Sequence, residues 1–153
     1  MIYADTSFLV SVYGEDVNTT SAREFIGDHQ PQLPFTFLHW PELARAIWKR
    51  QPDAEQIWET IQEDLNAGGK IFSPELDAGR IGQRAAGLIK NYCRRWTKLR
   101  VLDSLHVAAA VEGGFDTFLS FDSNSYQRVL AHDQKLAVWP ALTADEKLRL
   151  RQK

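Results

Sequence analysis

Cysteine is almost absent from this chain of 153 residues, with Cys93 the only one. No intrachain disulfide can form, and a reducing compartment fits, so a cytoplasmic location is the expectation. Also missing is any apolar run approaching ~18 residues, so neither a membrane span nor a membrane partner is expected. The N-terminus has no basic segment, and Asp5 interrupts its first apolar run, which argues against a signal peptide. Charge of one sign is not in excess: the net charge is −2, so there is no global basic signature. There is no internal repeat and no low-complexity segment. No Ser–His–Asp or Cys–His order suggests a nucleophilic triad, and His29, His39 and His132 show no metal-ligand spacing.

What is present is an ordinary globular composition. Hydrophobic residues make up 44% of the chain, enough for one domain with a single core. Short apolar runs alternate with helical patterns. Strands are predicted at Ile2 to Ala4, Phe35 to His39, Lys70 to Ser73, Asp116 to Phe121 and Leu136 to Trp139. Helices are predicted from Thr6 to Tyr13, Thr19 to His29, Pro41 onward, and Pro52 to Leu65. Others run from about Glu75 to Trp96, from Ser104 to Glu112 opened by Asp103, and from Ser125 to His132. This alternation predicts an α/β fold whose parallel sheet has helices on both faces. Residues 1–142 read as one domain and 143–153 as a polar helical tail that is not a separate domain.

Four acids stand at the ends of strand-like runs or in the first turns of helices. They are Asp5, Glu42, Asp103 and Asp122. An α/β sheet gathers its strand ends along one edge, where ligands bind. Four carboxylates meeting there would repel by up to ~4 kcal/mol per pair at an effective dielectric of ~20, so such a cluster calls for a cation. Hard oxygen donors without thiolates point to Mg²⁺ or Mn²⁺.

The segments around these acids resemble the motifs of the PIN-domain ribonucleases, above all the small VapC-type toxins of toxin–antitoxin pairs. The similarity lies in Asp5-Thr6-Ser7-Phe8-Leu9 and Pro41-Glu42-Leu43-Ala44-Arg45-Ala46. It continues in Leu102-Asp103-Ser104-Leu105-His106-Val107-Ala108-Ala109-Ala110 and Phe118-Leu119-Ser120-Phe121-Asp122. Trp40-Pro41 is bulkier than the small residue often found before the second acid, and Ser120 stands where Thr is common. The resemblance runs from Met1 to about Pro140. It implies a three-layer PIN-like fold with five parallel strands. It further implies metal-dependent endonucleolytic cleavage of RNA, a homodimer, and neutralisation by a cognate antitoxin. Asp5, Glu42, Asp103 and Asp122 would then be both the catalytic and the metal-binding residues, with Thr6 and Ser120 as candidate supports.

Each acid also has a plainer explanation. Asp is a favoured N-cap, and an acid in a first helical turn complements the helix dipole. Asp122-Ser123-Asn124-Ser125 is an ordinary turn sequence. His106 shares a helical face with Asp103 and could pack there or touch substrate. From Ala78 to Leu102 there is no acid, while seven Arg and Lys residues and the aromatics Tyr92 and Trp96 are interleaved. A solvated helix face is the plain reading; a basic track with aromatic platforms for single-stranded RNA is the other, with Arg94, Arg95 and Lys98 as the best candidates. Two rival functions stand beside the nuclease. One is a non-catalytic RNA-binding or regulatory PIN-like module. The other is a phosphatase or phospho-accepting receiver, but the chain lacks an Asp-x-Asp start and an evident basic residue after the fourth strand of the kind receivers show.

Overall fold

The computed structural model describes residues 1–152. The elements run β1 (Ile2–Ala4), α1 (Thr6–Tyr13), α2 (Thr19–His29), β2 (Leu33–Pro34), α3 (His39–Arg50), α4 (Ala54–Ala67) and β3 (Ile71–Phe72). They continue with α5 (Ala78–Tyr92), α6 (Val101–Glu112), β4 (Thr117–Leu119), α7 (Gln127–Asp133), β5 (Ala137–Trp139) and α8 (Ala144–Leu150). The chain forms two compact units. One is Ile2–Pro74; the other is Met1 together with the segment from Glu75 onward.

In the unit Ile2–Pro74, α3 packs on α1 and on α4. Phe8, Leu9, Leu43, Ile47 and Ile61 are fully buried between these elements. The spacing of Leu43 and Ile47 places both on one helical face, so burial of that face drives α3 into position. Trp40 is held edge-on between Phe35 and Trp58, at ring-centroid distances of 4.7 and 5.5 Å. The bulky residue before Glu42 is therefore accommodated by an aromatic cluster. Gly68 ends α4 in the left-handed region at φ 72°, a conformation that glycine adopts without a Cβ penalty.

The second strand departs from expectation. It is not Phe35 to His39 but Leu33–Pro34, paired in parallel with β3 through Leu33↔Ile71 and Pro34↔Phe72. The five strands divide into a sheet of three and a separate ladder of two, rather than one five-stranded sheet. Backbone chemistry accounts for this. Leu33 N–H and Phe35 N–H donate to the carbonyls of Lys70 and Phe72 at 2.9 and 2.7 Å. The opposite edge of β2 has no ladder donors to offer. Pro34 has no N–H, and Thr36 N–H is spent on His39 Nδ1 at 2.9 Å. Because Nδ1 accepts, the other ring nitrogen carries the proton, and Nε2 donates to the Ala4 carbonyl at 2.8 Å. A buried imidazole thus connects the end of β1 to the chain following β2, where a sheet would use ladder bonds.

In the second unit, β4 and β5 pair in parallel through Thr117↔Ala137, Phe118↔Val138 and Leu119↔Trp139. Helix α5 packs against α6, whose run Val107, Ala108, Ala109 and Ala110 is wholly buried. Small side chains there let neighbouring elements approach closely. Helix α5 ends at Tyr92, shorter than the predicted helix to Trp96, and α6 begins at Val101, before Asp103. Residues 144–150 form α8, capped by the Thr143 hydroxyl on Glu146 N–H and by the Glu146 carboxylate on Thr143 N–H.

Candidate active site

Asp5 is the N-cap of α1. Its Oδ1 accepts from Phe8 N–H at 3.0 Å and from the Ser7 hydroxyl at 2.7 Å. The capping explanation is therefore correct for Asp5, and it also explains how a buried carboxylate, 3% exposed, is held rigidly at the end of β1. Ala4, the preceding residue, is held through its carbonyl by His39. Glu42 lies in the first turn of α3. The Thr6 hydroxyl donates to Glu42 Oε1 at 3.1 Å, linking the first turns of α1 and α3.

A second pair of acids lies in the other unit. Asp103 is the third residue of α6 rather than the opening residue expected from sequence. Its Oδ2 accepts from Arg100 N–H and Arg100 Nε at 3.2 Å each, and its Oδ1 accepts from Arg100 Nη2 at 3.0 Å. The same Nη2 donates to Asp122 Oδ2 at 2.9 Å. One guanidinium thus binds both carboxylates. Side-chain exposure is 3% for Asp103, 31% for Asp122 and 61% for Arg100. Burial pushes the Asp103 carboxyl above the usual carboxylate range; Arg100 opposes that shift, and Asp122 adds to it. Hydrogen bonding to Asp103 raises the Arg100 guanidinium in turn.

Asp122 lies beyond β4 in a turn fixed by side chains. Asp122 N–H donates to the Ser120 hydroxyl at 3.1 Å, and Ser125 N–H donates to Asp122 Oδ1 at 3.2 Å. Ser120 thus supports the acid through the backbone. His106 is buried within α6.

All donors in both pairs are hard carboxylate oxygens, the chemistry that suits Mg²⁺ or Mn²⁺. In the Asp103–Asp122 pair they already converge on one cationic nitrogen. That nitrogen sits 2.9 and 3.0 Å from them, at hydrogen-bond spacing, whereas Mg²⁺ requires ~2.0–2.1 Å. Among the described residues, no three His, Cys, Asp or Glu side chains are gathered in a metal-holding group. The acid chemistry fits a divalent ion, and the guanidinium stands where a cation would be attracted.

The sequence matches the PIN-domain family over residues 2–131. The chain belongs to the PIN-domain family. Among solved structures, this PIN domain is similar to VapC20 of Mycobacterium tuberculosis, a sarcin–ricin loop cleaving toxin. The TM-score is 0.64 at 14% identity, covering 81% of this chain and 92% of that one. It is also similar to VapBC2 from Rickettsia felis bound to a DNA fragment from their promoter, with TM-score 0.62 at 14% identity over 90% and 97% of the two chains. A third likeness is to FitAcB from Neisseria gonorrhoeae, with TM-score 0.56 at 15% identity over 90% and 96%. At these identities the likeness concerns the fold. No curated protein matches the chain by sequence. No helix among the described residues is long and apolar enough to cross a membrane.

The basic segment is altered by its tertiary surroundings. Trp96 is fully buried, stacked on Tyr92 at 4.9 Å, tilted against Tyr126 at 5.5 Å, and bonded through Nε1 to the Arg149 carbonyl. It cannot serve as a platform for a base. The Arg95 guanidinium lies over the Tyr92 and Trp96 rings at 5.0 and 4.3 Å, and its shielded Nε and Nη2 make no hydrogen bond. Arg94 and Lys98 are exposed. Arg100, the residue that engages two of the four acids, belongs to this same basic run. Its position three residues before Asp103 was the sequence signal for that contact.

Proposed function

We propose that this PIN domain is a metal-dependent endoribonuclease, the toxin of a VapBC-type toxin–antitoxin pair, and that it hydrolyses RNA phosphodiester bonds. Asp5, Glu42, Asp103 and Asp122 are the proposed ligands for Mg²⁺ or Mn²⁺. The observation that carries this reading is the family match over residues 2–131, which includes all four acids, each with a defined local anchor. A divalent ion, when bound, would lower the pKa of an attacking water and counter charge on the phosphate.

The chain's own residues supply the rest. Phe8 N–H and Ser7 orient Asp5, and Thr6 orients Glu42. Ser120 fixes the backbone that carries Asp122. Exposed Arg94 and Lys98 offer positive charge for RNA phosphates, while Arg95 contributes through its packing on Tyr92 and Trp96. No covalent intermediate is required. An antitoxin and a second copy of the chain are the proposed protein partners; the neighbours named VapBC2 and FitAcB support the former.

The test is cleavage of a mixed pool of structured and single-stranded RNAs with Mg²⁺, with Mn²⁺ and with EDTA. Glu42→Gln and Asp103→Asn are run in parallel. Metal-dependent cuts that vanish in both variants are the expected result. RNA bound but left intact under every condition would favour the non-catalytic module instead.

A further inference from the structure

We infer that Arg100 is a built-in counter-cation of the Asp103–Asp122 pair, and that a divalent ion must displace it to bind there. This rests on the metal-dependent reading above and assigns a regulatory role to a residue outside the four acids.

Three observations carry it. First, Arg100 makes a forked contact, using Nε and Nη2 on the two oxygens of Asp103 while Nη2 also reaches Asp122. Planar guanidinium groups are suited to such bidentate recognition. Secondly, Asp103 Oδ1 and Asp122 Oδ2 both accept from the same Arg100 nitrogen, so a divalent ion held by this pair would compete with it. Both are already engaged at 3.0 and 2.9 Å. A divalent ion on these oxygens would stand beside a like-charged guanidinium, so the two compete for the pair. Thirdly, Arg100 is 61% exposed while Asp103 is 3% exposed. The acid is buried and the arginine is largely solvent-exposed, which leaves the contact open to competition.

Arg100 neutralises one of two adjacent carboxylates and holds the turn after β4 against the start of α6. In the metal-bound protein the guanidinium is released. The apparent metal affinity is therefore reduced by the fraction of molecules in which Arg100 closes the pair.

The experiment is calorimetric titration of Mn²⁺ into the whole protein, its Arg100→Gln variant and its Arg100→Lys variant. Arg100→Gln should bind Mn²⁺ about fivefold more tightly than the parent, as expected for removing a competitor of exposed-ion-pair strength. Arg100→Lys, which cannot fork across Asp103, should fall between the two. In the parent, Mg²⁺ should move the Arg100 Nε–H resonance toward that of a solvated arginine. Equal or weaker Mn²⁺ binding by Arg100→Gln would overturn the inference and show Arg100 to be a structural brace or a metal-site helper. Mn²⁺ binding by none of the three proteins would overturn the metal-dependent reading and this inference with it.

Discussion

Arg128 Nε and Glu146 Oε2 meet at 2.9 Å, with the two side chains only 2% and 0% exposed. The same guanidinium donates to the carbonyls of Ser120, Pro140 and Ala141, at 2.5, 2.7 and 3.0 Å. One buried arginine thereby ties α7, the end of β4, the segment after β5 and α8 together. Removing one member of a buried pair strands the other charge, which typically costs ~3–5 kcal/mol. Glu146→Ala should therefore lose about that much stability in denaturant unfolding. Because Arg128 also holds the Ser120 carbonyl, metal affinity should fall as well. A loss under ~1 kcal/mol would mean that Arg128 finds water or another acceptor.

Asp5 both caps α1 and is a proposed metal ligand, and two substitutions separate these roles. Asn caps a helix as well as Asp does. Asp5→Asn should keep metal-free stability within ~1 kcal/mol of the parent or raise it, since a buried negative charge is removed. RNA cleavage should nevertheless fall by ~100-fold or more. Asp5→Ala should lose cleavage and also destabilise the fold by ~1 kcal/mol or more through the lost cap. Melting curves in EDTA and cleavage rates with Mg²⁺ measure the two effects. Near-parental cleavage by Asp5→Asn would exclude Asp5 from the site.

Tyr92 provides a pH signature. Burial, together with the hydrogen bond its hydroxyl donates to Asp133, pushes its phenol from 10.0 up to about 12. Between those values the folded protein retains a proton that the unfolded chain releases. Stability should thus decline as pH rises from about 10 to about 12, with the Tyr92 contribution fully present below that window. Tyr3 and Tyr13 are shifted upward as well, chiefly by burial. Tyr92→Phe should therefore reduce the alkaline slope without abolishing it. Denaturant midpoints across this range, parent against variant, provide the check; superimposable slopes would show that Tyr92 ionises as it does in the unfolded chain.

For RNA, the exposed cations and the packed one should behave differently. Arg94→Gln and Lys98→Gln should each weaken binding across sequences and lower the salt slope by ~0.7, the value for one contact to a single strand. Arg95→Gln should change stability more than the salt slope, because its guanidinium lies on Tyr92 and Trp96. Fluorescence anisotropy over a salt series would detect this. An unchanged slope in both Arg94→Gln and Lys98→Gln would move the RNA track elsewhere.

Features that depend on near neighbours along the chain were legible from residue type and spacing alone. The N-cap at Asp5, the first-turn position of Glu42, the α3 stripe of Leu43 and Ile47, and the Asp122–Ser125 turn are all contacts over a few residues, and they follow from residue type and spacing. The motif order also identified the family. Features that depend on distant partners emerged only on folding. His39 reaches Ala4 across 35 residues and, with Pro34, limits β2 to a two-stranded ladder. Trp96 reaches Arg149 across 53 residues and is buried rather than offered to a base. Arg100 reaches Asp122 across 22 residues and makes two of the candidate acids share one cation. Burial and long-range hydrogen bonding arise only when segments meet in space, so no local pattern specifies which partner a polar side chain will find.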